Sequence, residues 1–150
     1  MYPIILAIHN IVRWVVVILA ILALVRAYVG WFGKRDWTEM DRRVGVFFSV
    51  SIDIQLLLGL LLYIFFSDIT RSALRDFGAA MSNPGMRFFA IEHVFYMVLA
   101  LVFAHLGSFL PKKATEAVSK HRRAAIWFTL AALMILLGIP WSRPLFPGLG

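Results

Sequence analysis

The chain contains no cysteine among its 150 residues, and this absence removes several kinds of site. Disulfides, thiolate metal sites, iron–sulfur clusters and covalently attached c-type haem all require cysteine sulfur. A cofactor in this protein must therefore be held by histidine, by carboxylate or by packing.

Charged residues are also few, at 15%, whereas 61% of the chain is hydrophobic and the mean hydropathy is +0.83. Soluble domains use about 45 to 50% apolar residues, so the composition indicates an integral membrane protein whose first partner is the lipid bilayer. The net charge of +7 would suggest nucleic acid in a soluble protein. In a hydrophobic chain the basic residues set topology and meet anionic lipid, so we expect no nucleic-acid partner.

Four segments reach the ~20 apolar residues that a membrane-spanning helix needs. They cover about residues 4–29, 44–66, 88–109 and 124–141. The first segment has no basic region before it, which favours a retained span over a cleaved signal peptide. The sequence predicts one domain over residues 1–150, an all-α integral membrane protein built as a four-transmembrane-helix bundle.

Basic residues are unevenly distributed among the connections. Five of them accompany the connection between spans 1 and 2 and five that between spans 3 and 4, namely Arg26, Lys34, Arg35, Arg42, Arg43, Lys112, Lys113, Lys120, Arg122 and Arg123. The positive-inside rule then places both these loops in the cytoplasm and both termini outside. In the outer loop, residues 67–87, the apolar spacing predicts a short helix lying on the membrane surface.

Two histidines lie at matched depth in spans that run in the same direction. His9 and His93 are each five residues into their spans, ~7 Å below the outer boundary at the helical rise per residue. Facing imidazoles are what a b-type haem with two axial histidines requires. The prediction is one haem between spans 1 and 3 with His9 and His93 on its iron. The alternative is that both histidines only hydrogen-bond to neighbouring helices.

Other polar side chains lie near this layer. Arg13 is one turn below His9, where it can face a haem propionate or pair with an acid, and Glu92 and Tyr63 are at a similar height. Asp53 lies deeper in span 2, and a structural ion pair between Arg13 and Asp53 is the simplest expectation.

The remaining polar positions favour structural roles. Gln55 and Gly59 are one turn apart in span 2, a spacing more typical of close helix packing than of substrate contact. His105 is ~120° away from the face of His93, so a second haem is not expected. His121 is surrounded by basic residues at the start of span 4 and is predicted to be interfacial.

Several short motifs resemble a group of small four-span bacterial membrane proteins described as cytochrome b or cytochrome b-like. They are "IHNIVRW", "QLLLGLLLY", "GAAM", "RFFAIEH", "KHRRAAIWF" and "IPW" followed by "RPLF". The resemblance implies a haem b protein of the bacterial inner membrane that transfers electrons. In that membrane, the outer side given to both termini by the positive-inside rule is the periplasmic side. It points to His9, Arg13, Gln55, Glu92, His93 and the cluster at residues 121–123.

This chain departs from that group in span 2. Its relatives tend to have a histidine just before "QL", where this chain has Asp53 and Ile54. If that histidine is an axial ligand in the relatives, this chain lacks it. His9 and His93 would then be the only credible ligands left in this chain.

Three functions compete at this point. The first is a b-type cytochrome that exchanges electrons with quinol or a larger redox complex. The second is a cofactor-free accessory subunit of a respiratory or photosynthetic complex. The third is a small transporter or channel, formed by a homo-oligomer and lined by Arg13, Asp53 and Glu92. We find no hydrolase or transferase signature, so any turnover would be that of a redox carrier.

Overall fold

The computed structural model describes residues 1–143, and over that range it contains helices and no strand. The predicted all-α class is confirmed, and four helical stretches are long and apolar enough to cross a membrane. The four principal helices are α1 (Tyr2–Phe32), α2 (Glu39–Leu61), α6 (His93–Phe109) and α7 (Ala117–Gly138).

Three short helices connect α2 to α6, where the sequence predicted a single one. They are α3 (Asp68–Arg75), α4 (Phe77–Ser82) and α5 (Pro84–Arg87). Each begins at a polar side chain that accepts a backbone N–H of the first turn, from Ser67, Asp76 and Asn83 respectively. These N-caps satisfy groups that a helix start leaves without a partner, so the connection divides into separate helices.

Two turns of π-helix interrupt the regular helices on either side of this connection. Leu62–Phe66 continues α2, and Phe88–Glu92 leads into α6. The hydroxyl of Tyr63 in the first donates to the carbonyl of Ala90 in the second, at 2.9 Å. Because a π turn holds more residues than an α turn, it shifts the face on which the following side chains lie.

The four principal helices form a square in which α1 packs against α2 and α7, and α6 also packs against α2 and α7. We call the end where α1 begins and α7 ends the terminal end, and the opposite end the loop end. The buried contacts are dominated by small side chains, including Ala20, Ala23, Ala27, Ala100, Ala104, Ala124, Ala125 and Ala131. Small residues let helix backbones approach closely, as is typical of membrane bundles.

His121, at the loop end, is a core residue and not the interfacial residue that the sequence predicted. Its side chain is 1% exposed, and Nε2 donates to the carbonyl oxygen of Asp36 at 3.2 Å. Its ring packs against Trp37, with the ring centres 4.9 Å apart, and a Cβ on Gly30 would overlap it. The burial of His121 could not be read from its basic neighbours in sequence, because successive residues of a helix turn lie on both its buried and its exposed sides.

Candidate functional site

A cavity of about 390 Å³ lies at the terminal end, between α1, α2, α6 and α7. Its volume is in the range of sites for small molecules and cofactors, about 300 to 1,000 Å³. Most of its wall is apolar. The polar side chains that reach it include five of the six predicted site residues, His9, Arg13, Gln55, Tyr63 and His93.

The rings of His9 and His93 face each other in this cavity. Their centres are 6.3 Å apart and their planes are inclined by 66°. Two imidazoles that bind one metal ion from opposite sides, each with a metal–nitrogen distance of about 2 Å, have ring centres about 6 Å apart. The two side chains therefore already have the separation that a shared axial metal would require.

His93 is oriented by a backbone group of α7. Its Nδ1 donates to the carbonyl oxygen of Gly138 at 2.6 Å, whereas its Nε2 makes no hydrogen bond within residues 1–143. The helices are close here because residue 138 is glycine: a Cβ at this position would overlap Met97 and lie 3.2 Å from Cβ of Tyr96. A carbonyl on one ring nitrogen leaves the other free to act as a ligand.

His9 is held by α2 through Gln55. The amide nitrogen of Gln55 donates to the carbonyl oxygen of His9 at 3.0 Å and lies 3.2 Å from Nε2 of the same residue. Gly59, one turn away, leaves room for the ring, since a Cβ there would be 3.3 Å from Cε1 of His9. Gln55 and Gly59 thus make the close helix contact that their spacing predicted, and both also line the cavity.

Three buried side-chain polar atoms have no hydrogen bond in the described part of the chain, and two of them are at this contact. They are Nδ1 of His9 and Oε1 of Gln55. Buried polar groups nearly always have a hydrogen-bond partner, and a buried donor or acceptor left without one costs about 1 to 3 kcal/mol. Both residues line the cavity, so a ligand there could provide the missing partners.

Two basic side chains are among the described residues that line the cavity. Arg13 is 8% exposed and lines it, with Nη1 3.4 Å from Oδ1 of Asn10. Arg143 also lines it and lies over the ring of Phe89, 4.3 Å from the ring centre. None of the described lining residues is acidic. The site therefore favours a ligand that carries negative charge.

The predicted ion pair between Arg13 and Asp53 was wrong. Oδ1 of Asp53 lies 2.9 Å from Nε2 of His105, on the side of α2 that faces α6. Asp53 is not among the residues that line the cavity, whereas Arg13 is. Helix rotation separates the two residues, and His105, which had no expected partner, takes the carboxylate.

The structure does not bring Glu92 to the cavity. Its Oε1 accepts from Nε of Arg87 at 2.7 Å, and it belongs to the π turn just before His93. Tyr63 does line the cavity, although its hydroxyl is already engaged with the carbonyl of Ala90. Glu92 thus stabilises the start of α6, and Tyr63 ties α2 to it.

Sequence reasoning missed the contribution of Gly138, and only its position near the end of span 4 hints at it. A backbone carbonyl carries no side-chain signal, so its role depends on how closely α7 approaches α6. Thr70 was missed for a similar reason, since its hydroxyl donates to the carbonyl of Tyr63 at 2.7 Å.

Within residues 1–143, no three His, Cys, Asp or Glu side chains converge to hold a metal ion by themselves. Haem requires only axial ligands from the protein, because the porphyrin nitrogens fill the other positions. A pair of histidines meets this lesser requirement.

Comparisons of the chain with protein-family models, curated proteins and solved structures gave no match. No relative therefore contributes to the functional assignment. It rests on the cavity and on the side chains that line it.

Proposed function

We propose that this membrane protein binds one haem b between α1 and α6, with His9 and His93 as the two axial ligands. The observation that carries the proposal is the facing pair of imidazoles, 6.3 Å between ring centres, across a cavity of about 390 Å³. Nδ1 of His93 donates to the carbonyl of Gly138, which leaves Nε2 as its ligand atom, a division of roles common in histidines that ligate metals. In His9 the nitrogen without a hydrogen bond within the described residues is Nδ1. Binding iron through Nδ1 would require its proton to move to Nε2, with the Gln55 amide turned so that Oε1 accepts it.

The surrounding residues fit such a group. The carbonyl of Gly138 orients His93, and Gln55 holds the backbone and ring of His9. Arg13 and Arg143 supply positive charge for the propionates of a haem. Bound haem supplies one-electron chemistry, so we assign the protein to electron transfer, with quinol or a larger redox complex as its partner.

A second candidate ligand is a quinone, favoured by the two buried atoms that lack hydrogen bonds. The Gln55 amide nitrogen donates toward His9, so Nε2 of His9 accepts and its Nδ1 carries the proton. The cavity wall then presents one donor, on His9, beside one acceptor, Oε1 of Gln55. A quinone or quinol head group offers matching carbonyl and hydroxyl groups.

We further propose that the protein lies in the bacterial inner membrane with its terminal end toward the periplasm. Support comes from the basic residues grouped at or beside the loop end, including Arg42, Arg43, Arg122 and Arg123. The cavity would then lie near the periplasmic surface.

The haem proposal is tested by the reduced-minus-oxidised absorption spectrum of protein expressed with haem supplied and purified in mild detergent. We expect the sharp α band of six-coordinate haem b in the wild type and its loss in His9→Ala and in His93→Ala. His105→Ala is the matched control, because it removes a histidine outside the cavity, and it should keep the band.

A flat spectrum from folded wild-type protein, or an unchanged band in both cavity variants, rejects the haem proposal. The quinone candidate is then tested by titrating a short-chain quinone and following tryptophan fluorescence. Gln55→Leu should weaken that binding about tenfold, the effect of one hydrogen bond to a buried group. Equal affinities in wild type and variant would reject the second candidate.

A further inference from the structure

The outward surface of α2 and α6 carries a polar pair in the loop-end half of the membrane-spanning region. Asp53 and His105 are bonded to each other, yet their side chains remain 39% and 49% exposed. We call this surface the 53/105 face. It comprises Val50, Asp53, Leu57, Val102, His105 and Phe109.

This exposure is costly in a bilayer. Asp53 is nine residues from the loop-end boundary of its apolar run at Val44, and His105 is four residues from that of its own run at Phe109. These are ~14 Å and ~6 Å at the helical rise per residue, so the pair lies in the loop-end half of a ~30 Å hydrocarbon core. Intramembrane charged groups almost always face protein or a water-filled cavity. Within residues 1–143 each side chain makes only the hydrogen bond to the other, so one carboxylate oxygen and Nδ1 of His105 have no partner.

The pair is complementary to itself. With one proton between Nε2 and Oδ1 and one on Nδ1, the pair is neutral overall and retains one N–H to donate and one carboxylate oxygen to accept. A second copy related by a two-fold axis along the membrane normal presents the same two groups in reverse order. Each N–H can then meet the carboxylate of the other copy, as an isologous contact requires.

Apolar side chains surround the pair in a pattern suited to such a contact. Val50 and Leu57 lie one turn on either side of Asp53, and Val102 and Phe109 do the same for His105. All four are exposed, at 45%, 62%, 43% and 51% respectively. We propose that the 53/105 face is a homodimer interface within the membrane and that its occupant is a second copy of this chain.

The absence of cysteine allows a direct test. Val102→Cys is placed on the 53/105 face, so oxidation can form a disulfide only between two molecules. The control is Ile18→Cys on α1, diagonal to α6 in the bundle, 62% exposed and equally far along its apolar run. Both full-length variants are reconstituted in vesicles at a high lipid-to-protein ratio, oxidised, and separated by non-reducing electrophoresis.

We expect Val102→Cys to give a species of twice the 17.0 kDa monomer mass and Ile18→Cys to remain monomeric. Adding Asp53→Leu to Val102→Cys should reduce the dimer yield about tenfold, since the interhelical polar contact is lost. The exchange variant, Asp53→His with His105→Asp, keeps both groups and should recover the dimer, which separates loss of pairing from loss of folding.

Equal cross-linking at residues 18 and 102 would overturn the proposal, because it would indicate random collisions. A cross-linked species of another mass in native membranes would also overturn it, since the 53/105 face would then hold a different protein. Neither outcome depends on haem, so this test and that of the proposed function fail independently.

Discussion

Gly138 is the residue at which packing and the candidate site meet. Its lack of a side chain lets α7 approach α6, and its carbonyl oxygen receives the N–H of His93 at 2.6 Å. A single methyl group here would act on both features, because protein interiors leave little free volume.

We therefore predict that Gly138→Ala destabilises the protein by about 1 to 3 kcal/mol, the usual effect of overpacking. The added Cβ would overlap Met97. The measurement is the thermal unfolding midpoint in detergent, together with the haem absorption of loaded protein, which should fall. Adding Met97→Ala to this variant should restore part of the thermal midpoint and part of the haem absorption, because it makes room for the new Cβ at position 138.

Gly78→Ala is the matched control, since the nearest atom to a Cβ there is Oδ1 of Asp76 at 3.8 Å. It should unfold at the wild-type temperature. If Gly138→Ala were as stable as Gly78→Ala and kept its haem, the role assigned to this glycine would be incorrect.

At this scale the sequence predicted which histidines meet but not what holds them. Equal depth in parallel spans was enough to place His9 and His93 together. The pairing of Asp53 with His105 could not be predicted, because it depends on how α2 and α6 are rotated about their axes, which residue spacing does not determine. Gly138 acts through its backbone, which has no side-chain pattern.

At the scale of elements, the first turn of α2 shows how a polar stretch begins a membrane helix. Thr38 and Asp41 form a capping box, in which each side chain is bonded to the backbone N–H of the other. Asp41 also accepts from Arg26 on α1, at 2.9 Å. The cap thus joins the start of α2 to the preceding helix.

Thr38→Ala should lower the free energy of unfolding by about 1 kcal/mol, because the N-cap hydroxyl is lost. The measurement is again the thermal midpoint in detergent. Ser82→Ala, which removes an exposed hydroxyl bonded to the carbonyl of Gly78, serves as the control and should change little. Equal midpoints in the two variants would show that this capping box adds no stability.

Apolar length predicted the four spans but not their ends. The predicted second span began at residue 44, whereas α2 begins at Glu39, and the fourth began at residue 124, whereas α7 begins at Ala117. Both helices start with polar turns that hydropathy assigns to loops. The π turns were also missed, since their geometry follows from tertiary contacts such as Tyr63 with Ala90.

On the scale of the whole molecule, the fold class followed from composition, whereas the orientation is a proposal that rests on the distribution of charge. A high apolar content favours spans within lipid, and an even number of spans places both termini on the same side. The existence of a large cavity could not be predicted, because it arises from how four helices and the α2–α6 connection fit together.

The proposed orientation predicts opposite labelling of two single-cysteine variants. In intact bacterial cells, a membrane-impermeant maleimide should label Ser72→Cys, which lies in the connection at the terminal end, and not Thr115→Cys, at the loop end. Both positions are exposed, so reactivity in detergent should be equal. Labelling of residue 115 but not 72 in intact cells would reverse the orientation.

The position of Gly138 in the last of the four principal helices also has a consequence for biogenesis. A ribosome releases α1, α2 and α6 before α7, so His9 and His93 enter the membrane while the carbonyl that orients His93 is still unsynthesised. The cavity acquires its fourth wall only when α7 inserts. On the proposed function we therefore expect ligand loading to be a late step in maturation, and a chain whose translation stops before α7 to retain no ligand.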